Sequence, residues 1–437
     1  MGVFIGYGCS ICGTLFAPDE VTYTCPHDGG NLNVRLDYNT IAAEWSPEKI
    51  SQSKDCSMWR YAPLLPVGVP AENTGALRRL GGTPLFQSPR LGARLGLKNL
   101  YVKDDGQLPT ASLKDRASAV VVQRAIEQDI KKIITASTGN AGVALAGMAA
   151  AADMEAVILV PESSPPAKIA QLLIFGAQLF LVQGNYNDAF ELTLQASREF
   201  GWYCRNTGYN PFTAEGKKTA AFEISEQFSR LQSSLPSEQW IVPDRVFVSV
   251  GDGNIISGVH KGFKDLHTLG WIDRVPRLMG VQAEGSAAIA NAFFAGNEDI
   301  RSVSAMTVAD SISADVPSDG LRALRAATQT GGEYLTVSDD EILQAMLPLA
   351  RDAAVFAEPA AAAAYAGLDK FAQAGLTDPD EYVVVLVTGN GLKDVNAALQ
   401  VTGSAPHIAS DVDALKAALE NKSNRANSDE PLGPGEI

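Results

Sequence analysis

A single lysine, Lys114, separates a loop of small residues from a long apolar segment. The loop is Leu108-Pro-Thr-Ala-Ser-Leu, and the segment at 117–126 carries apolar residues at helical spacing. The lysine is therefore predicted to lie in the first turn of a helix, where the helix dipole disfavours a cation. Because a disfavoured ammonium has a lowered pKa, Lys114 is a candidate amine nucleophile that forms a Schiff base with a carbonyl group.

A loop of small and hydroxylated residues, Thr135-Ala-Ser-Thr-Gly-Asn140, joins a predicted strand to a helix rich in Ala and Gly. The free N–H groups at such a helix start can hold an anion, for example a substrate carboxylate. The side-chain amide of Asn140 is suited to a ring hydroxyl or an oxyanion. The alternative interpretation is an ordinary helix cap with close packing of the Ala/Gly face.

Two later junctions have the same strand-to-helix form. At 250–258 the sequence Val-Gly-Asp-Gly-Asn-Ile-Ile-Ser-Gly contains glycines that let the backbone wrap around a phosphate. The loop lacks the spacing of a dinucleotide fingerprint and the Gly-Lys-Ser/Thr of a Walker loop, so a phosphomonoester is the better-fitting ligand. At Thr388 a hydroxyl at a strand end can meet a heterocyclic nitrogen. Ordinary turns are the alternative at both places.

The elements that must position these residues alternate between short apolar strands and helical segments from 81 to about 400. Each predicted strand is a nearly continuous apolar run, as expected for parallel strands buried on both faces. This alternation predicts an α/β fold with helices on both sheet faces, and the number of units favours two sheets. Ligand sites are then expected beyond the carboxyl ends of the strands. The predicted strands are 100–103, 132–135, 156–160, 178–182, 246–250, 278–282 and 382–387, with strand-like runs at 21–24 and 32–36.

Composition narrows the functional class. The 437 residues, 46% hydrophobic and 19% charged, suit a soluble globular enzyme of two or more domains. The net charge of −15 argues against the phosphate backbone of a nucleic acid as the main ligand. No apolar run approaches the roughly 20 residues that span a bilayer, and the N-terminus does not resemble a signal peptide. The expected compartment is the cytoplasm.

Taken together and in this order, the lysine, the Ser-Thr-Gly-Asn loop, the glycine loop and the late threonine resemble the fold-type II enzymes that use pyridoxal 5'-phosphate. The chain is most similar to the threonine synthase family, over most of 80–400. Further similar stretches are Gly81-Gly-Thr-Pro-Leu85, Asn210-Pro-Phe-Thr-Ala-Glu215-Gly-Lys-Lys-Thr, Gly280-Val-Gln-Ala-Glu-Gly285, Val337-Ser-Asp-Asp-Glu-Ile342 and Phe356-Ala-Glu-Pro-Ala360.

The resemblance implies two three-layer αβα domains with twisted, mostly parallel sheets, and a homodimer. The implied large cofactor-binding domain comprises 81–130 and 210–403, and the small substrate-binding domain comprises 131–209. The remaining parts are a zinc-ribbon-like segment at 1–37, an arm at 38–80 and a C-terminal tail at 404–437.

The resemblance also implies roles for individual residues. Lys114 would hold the cofactor, Asn140 would bond its ring hydroxyl, and Thr388 would face its ring nitrogen. The backbone amides that would hold the cofactor phosphate belong to Gly251, Asp252, Gly253, Asn254 and Ile255. The residues that fall where the family binds the amino-acid carboxylate are Ser137, Thr138 and Ala141.

The first cysteines resemble the small zinc ribbon that precedes many threonine synthases. Cys9-x-x-Cys12 is followed by Cys25, but Asp28 stands where the second pair usually ends in cysteine. Zinc accepts carboxylate or imidazole ligands, so Asp28 or His27 can complete a site with the three thiols. The alternative is a degenerate ribbon with free thiols.

The resemblance implies the conversion of O-phospho-L-homoserine and water to L-threonine and phosphate. The alternatives are a pyridoxal-phosphate enzyme of β-elimination or β-replacement, such as cysteate synthase or a serine/threonine dehydratase, and a non-catalytic relative. One departure bears on the substrate: Thr213 stands where the family usually has an arginine that helps hold the substrate phosphate. Nearby cations that can take its place are Arg205, Lys217 and Lys218.

Overall fold

The computed structural model of the protein describes residues 3–232 and 239–426. Three sheets are formed by thirteen strands. These are β1 (Phe4–Cys9), β2 (Leu15–Phe16), β3 (Leu32–Leu36), β4 (Leu85–Gln87), β5 (Asn99–Asp104), β6 (Lys132–Ala136), β7 (Glu155–Pro161), β8 (Gln178–Val182), β9 (Tyr203–Cys204), β10 (Arg245–Ser249), β11 (Arg277–Ala283), β12 (Tyr334–Val337) and β13 (Tyr382–Val387).

The α-helices are α1 (Tyr38–Glu44), α2 (Pro47–Ser51), α3 (Pro89–Leu95), α4 (Lys114–Glu127), α5 (Asn140–Ala151), α6 (Pro166–Leu173), α7 (Tyr186–Phe200), α8 (Phe212–Lys217), α9 (Thr219–Gln232), α10 (Asn254–Thr268), α11 (Ala288–Phe294), α12 (Gly320–Thr328), α13 (Asp339–Ala353), α14 (Pro359–Gln373), α15 (Val395–Thr402) and α16 (Val412–Ala426). Short 3-10 turns lie at Met58–Leu64, Glu72–Thr74, Asp105–Gln107, Glu284–Ser286, Asp310–Ile312 and Gly391–Lys393. Among the described residues, none of the helices combines the length and hydropathy needed to cross a bilayer.

The six-stranded sheet has the order β12-β11-β10-β13-β5-β4 and is parallel except for β4. Its central strand β13 reads Tyr-Val-Val-Val-Leu-Val, because a strand covered by helices on both faces must be apolar on both faces. Strands β5, β10 and β13 end at the same edge. The segments that follow them carry Lys114, the loop at 251–253 and Thr388, so parallel pairing alone brings these to one side of the sheet.

The four-stranded sheet, in the order β8-β7-β6-β9, is parallel throughout. The loop at 137–139 follows β6 and Arg205 follows β9, and these two strands are neighbours. The α/β fold class with two mostly parallel sheets is therefore confirmed. The predicted domain boundaries follow the division between these sheets but stay a prediction.

The third sheet, β2-β1-β3, is antiparallel and lies in the N-terminal segment. The seven predicted strands of the main sheets are found within a residue of their predicted ends or slightly extended, as is the run at 32–36. The strand-like run at 21–24 is not a strand, since only Thr24 forms a bridge, with Asn31. The predicted tail at 404–437 contains α16, and residues 427–437 lie outside the described part of the chain.

Candidate active site

Lys114 is the first residue of α4, as the sequence predicts. The loop before it is fixed to the loop after β13: the N–H of Leu113 donates to the carbonyl of Thr388 (2.9 Å), and the N–H of Asn390 donates to that of Ala111 (3.0 Å). Ala111 adopts a left-handed backbone with φ 62°, a conformation that costs a residue with a Cβ about 1–2 kcal/mol. Backbone pairing therefore places Lys114 beside Thr388.

The Lys114 amine lies in a poorly solvated position. Burial is the main cause that lowers its pKa; the carboxylates of Asp252 and Glu358 oppose this shift, and the charge of Arg205 adds to it. The sequence predicts a pKa lowered by the helix dipole, whereas desolvation is the leading cause in the structure. The consequence is the same: a larger fraction of the amine is neutral and nucleophilic.

The glycine loop after β10 leaves no space for side chains at two positions. A Cβ on Gly251 would lie 2.7 Å from the Cα of Ile312, and a Cβ on Gly253, whose φ is +90°, would lie 2.8 Å from the carbonyl oxygen of Asp319. Gly251, Asp252 and Gly253 line a small cavity of about 30 Å³ that Lys114 also lines. An amine and a backbone anion site therefore share one cavity.

The two hydrogen-bonding groups of the Asn254 side chain have other partners. Its Nδ2 donates to Asp319 (2.7 Å), and its Oδ1 accepts from the Nζ of Lys217 (2.6 Å). Its backbone N–H donates to Oδ1 of Asp252 (3.0 Å). The start of α10 therefore lies beside two carboxylates and one buried ammonium.

Asn140 is buried at the start of α5, and its amide does not cap the helix. Its Nδ2 donates to Oε1 of Glu358 (2.7 Å) and to Oγ of Ser311 (3.2 Å), both contributed by segments of the other large sheet. The capping alternative therefore does not describe this side chain. The amide faces the cleft between the two sheets, where a ligand hydroxyl can exchange for these partners.

Glu358 was given no role by the sequence. It precedes α14 without capping it, and burial raises its pKa to about 6, against the opposing charges of Lys114 and Lys393. A carboxyl with this pKa is able to take up or release a proton near neutral pH. The sequence signal for this residue is weak: a glutamate directly before a proline that can begin a helix.

The cleft between the sheets contains a cavity of about 390 Å³. Thr138 and Asn140 line it from the side of the four-stranded sheet, and Glu358 and Lys393 from the other side. Ser311 lines both this cavity and the smaller one that contains Lys114. Ser137 and Ala141 are half-buried beside it, and Ala141 lies in the first turn of α5, where N–H groups lack helical partners.

Thr388 is buried at the end of β13. Its carbonyl accepts from Leu113, but its hydroxyl makes no hydrogen bond to another residue in the described part of the chain. Because no residue in the described part of the chain occupies this hydroxyl, it is free to donate to or accept from a ligand. The hydroxyl is therefore available to a polar atom of a bound ring.

Thr213 and Lys218 are both engaged elsewhere. The hydroxyl of Thr213 donates to the carbonyl of Asn210 (2.7 Å), and the ammonium of Lys218 pairs with Glu215 (2.5 Å) and Asp265 (2.8 Å). Lys218 is thus neutralised within a buried network. Of the three cations considered in place of the family's arginine, it is the least available to a ligand.

The N-terminal cysteines and Asp28 form a compact cluster. The ligand atoms of Cys9, Cys12, Cys25 and Asp28 all lie within 4.8 Å of one another. The N–H of Gly30 donates to Asp28 (2.8 Å) and is the main cause that holds its pKa below the ordinary range. The ring of His27 instead stacks on Phe16 (5.8 Å between centroids). The cluster has a donor set that suits tetrahedral zinc, with Asp28 as the fourth member.

The main site fits pyridoxal 5'-phosphate on the structure alone. An amine of lowered pKa can meet an aldehyde, and the same cavity is lined by Gly251 and Gly253, whose amides can meet a phosphate. The Asn140 amide and the unpartnered hydroxyl of Thr388 supply polar groups for the ring substituents. The amine, the glycine loop that can hold a phosphate and the side chains that can contact the ring thus come from segments that follow different strands, and they meet at one site.

Comparison with protein families agrees with this chemistry. Residues 77–389 match the model of a family described as pyridoxal-phosphate dependent enzyme. A threonine synthase of Methanocaldococcus jannaschii is 38% identical over 414 residues, which cover 94% of this chain and 98% of the relative. A threonine synthase of Methanosarcina acetivorans is 37% identical over 417 residues, which cover 95% and 98%.

Solved structures agree on the fold. The chain is similar to a diaminopropionate ammonia lyase from Escherichia coli with a TM-score of 0.63 and 19% identity, over 77% of this chain and 92% of that one. It is also similar to a threonine deaminase from Solanum lycopersicum with a TM-score of 0.60 and 23% identity, over 73% and 87%. At these identities the likeness concerns the fold alone.

Proposed function

The chain belongs to the pyridoxal-phosphate dependent enzymes, and within them to the threonine synthase family; from this premise we propose that it converts O-phospho-L-homoserine and water to L-threonine and phosphate. The observation that carries the proposal is the shared cavity of Lys114 and the glycine loop, opening beside a larger cleft. We further propose that it acts as a homodimer in the cytoplasm. The acidic balance of the chain, −15, supports a small-molecule substrate over a nucleic acid.

Lys114 is the proposed catalytic residue. The bound cofactor supplies an electron sink for carbanion chemistry at the substrate Cα. Because burial lowers the pKa of the Lys114 amine, its neutral form can remove the Cα proton and then a proton from Cβ. In the net reaction the Cγ–O bond to phosphate breaks, a hydrogen is lost from Cβ and one is gained at Cγ, and water adds its OH at Cβ while its remaining proton goes to the released phosphate.

The other predicted residues hold the reactants. Asn140 and Thr388 are proposed to hold the cofactor ring, and the backbone amides at 251–255 its phosphate. A neutral threonine facing the ring nitrogen leaves the ring a weaker electron sink than an aspartate would. Ser137, Thr138 and Ala141 are proposed to bind the substrate carboxylate at the N-terminal end of α5.

The proposal is tested by offering the purified protein, loaded with cofactor, three substrates separately. These are O-phospho-L-homoserine, O-phospho-L-serine with sulfite, and L-threonine. We expect equimolar phosphate and L-threonine from the first only. In water labelled with oxygen-18 the label should enter the threonine hydroxyl and not the phosphate, because the C–O bond breaks.

Turnover of O-phospho-L-serine or L-threonine in preference to the first substrate would instead establish a β-replacement enzyme or a dehydratase. Absence of turnover of O-phospho-L-homoserine by cofactor-loaded protein would refute the proposal.

We also propose that Cys9, Cys12, Cys25 and Asp28 bind a structural zinc ion. The support is the four-atom cluster within 4.8 Å and the ionised state of Asp28. The segment that carries the cluster packs on β9: the hydroxyl of Tyr23 accepts from the N–H of Cys204 (2.9 Å). A zinc ion would therefore stabilise the N-terminal segment that packs against the four-stranded sheet.

For this site we expect about one zinc ion per chain in the wild-type protein and loss of most of it in Cys25→Ser, measured by mass spectrometry of the metal content. Cys56→Ser is the matched control, because Cys56 is an exposed free thiol outside the cluster. A wild-type protein that takes up no zinc after incubation with the ion and removal of excess would contradict the assignment.

A further inference from the structure

We propose that Arg205 binds the phosphate group of the amino-acid substrate. The inference rests on the proposed function and names a residue that determines its substrate class, an amino acid bearing a phosphate ester.

The guanidinium of Arg205 is fully buried and only partly satisfied. Its Nε donates to Oγ of Ser118 (3.1 Å), and its Nη1 donates to the hydroxyl of Thr207. Its Nη2 has no hydrogen-bond partner, and no ion pair in the described part of the chain includes Arg205. A buried arginine with a free donor and no carboxylate is costly, so an anionic ligand is the expected partner.

Arg205 lies where the substrate is expected. Ser118, its partner, is one turn after Lys114 on the same helix, so the two side chains lie on one face of α4. The N–H of Arg205 donates to the carbonyl of Ile134 (2.8 Å) in β6, the strand that leads to the proposed carboxylate loop. Arg205 is thus hydrogen-bonded both to the helix that carries the amine and to the strand that leads to the loop proposed to hold the amino acid.

Its charge acts on the same groups. The charge of Arg205 contributes to the lowered pKa of Lys114. The pKa of Arg205 is itself lowered to about 10, mainly by burial, while the charge of Asp252 opposes this shift. Arg205 therefore remains protonated near neutral pH. Asp252 does not neutralise it by direct pairing, since no ion pair joins them among the described residues.

Lys217 is another buried cation that forms no ion pair in the described part of the chain, and it contacts a different segment. Its Nζ donates to Oδ1 of Asn254 (2.6 Å), at the start of the helix that follows the glycine loop. This contact assigns Lys217 to the side of the cofactor phosphate. The two cations thus divide between two phosphates: Lys217 lies beside the glycine loop, and Arg205 lies beside the path from β6 to α5.

The test measures binding and turnover in Arg205→Gln and Lys217→Met holoenzymes. The probes are O-phospho-L-homoserine, inorganic phosphate and L-homoserine, each titrated by calorimetry, together with the cofactor affinity of each variant. For Arg205→Gln we expect KM for the phosphorylated substrate and the dissociation constant for inorganic phosphate to rise about 10- to 100-fold. L-homoserine binding and cofactor affinity should change less than about 3-fold. Lys217→Met should show the reverse pattern, with weaker cofactor binding.

Two controls keep the result interpretable. Arg301→Gln removes an exposed arginine and should leave all four quantities unchanged. Arg205→Lys keeps the positive charge but loses the planar, bidentate donors of the guanidinium, so it should give an intermediate KM. This variant replaces Arg205→Gln in the test if the glutamine variant does not fold.

The possible outcomes separate this inference from the proposed function. If the wild type does not turn over O-phospho-L-homoserine but its phosphate binding depends on Arg205, the proposed function fails and Arg205 remains a phosphate ligand. If the wild type makes threonine and Arg205→Gln binds the phosphorylated substrate equally well, the inference is wrong. The inference would also be wrong if Arg205→Gln weakened the binding of L-homoserine as much as that of O-phospho-L-homoserine, or if this variant lost affinity for the cofactor.

Discussion

Replacing Lys114 with alanine is expected to lower kcat/KM for O-phospho-L-homoserine by at least about 10³-fold. The variant loses the amine that anchors the cofactor and moves protons at Cα and Cβ. Stability should change little or rise, because the variant removes an ammonium that is buried without an ion pair. The rate is measured as phosphate release. Attachment of the cofactor to the amine is measured by the visible absorbance of the bound cofactor.

Lys114→Arg sharpens the test, because arginine keeps the positive charge but does not lose its proton near neutral pH. It should be as inactive as the alanine variant. Lys416→Ala, which changes an exposed lysine of α16, should retain wild-type turnover. Retention of the cofactor's visible absorbance in Lys114→Ala would show that another group anchors it.

Replacing Arg116 with alanine is expected to destabilise the protein by about 3–5 kcal/mol, because it leaves buried carboxylates uncompensated. The Arg116 guanidinium pairs through Nε with Asp105 (2.7 Å) and through Nη2 with Glu223 (2.8 Å). Lys103 also pairs with Glu223 (2.6 Å), and all four side chains are buried. Arg116 lies two residues after Lys114, so this network fixes the helix that carries the catalytic amine.

The loss is measured as the shift in the denaturant midpoint of holoenzyme unfolding. Arg301→Ala breaks an ion pair whose side chains are 85% and 62% exposed and should cost less than about 1 kcal/mol. Arg116→Lys keeps a positive charge but not the bidentate hydrogen bonds, so its loss of stability should lie between those of Arg116→Ala and Arg301→Ala. A shift for Arg116→Ala no larger than that of Arg301→Ala would contradict the assignment.

This network also has a defined pH dependence. Burial alone would raise the pKa of Glu223, but the charges of Arg116 and Lys103 hold it well below its ordinary value of 4.5. A carboxylate with a lowered folded-state pKa stabilises the protein fully above that ordinary value and loses this contribution as the pH falls below it. The stability gap between wild type and Arg116→Ala should therefore narrow in acid.

The fold class, the main strands and the identity of the chemical motifs follow from local patterns in the sequence. Strands such as β10 and β13 are runs of buried apolar residues, and this signal is local because both faces of a parallel strand must be apolar. The glycine loop and Thr388 each follow a strand directly, whereas Lys114 is marked by its place between a loop of small residues and an apolar segment with helical spacing. Parallel strands deliver their carboxyl ends to one edge, so local order in the chain was enough to group them.

The tertiary structure decided which groups remain available for a ligand. Lys218 is neutralised by Glu215 and Asp265, whereas Arg205 keeps an unpartnered Nη2, and nothing in the order of the residues distinguishes the two cations. Likewise Asp28 rather than His27 joins the three thiols. Charge pairing and burial depend on contacts between segments that are distant in the chain. Packing, and not residue type alone, therefore decides whether a charged side chain is neutralised within the protein or remains able to bind a ligand.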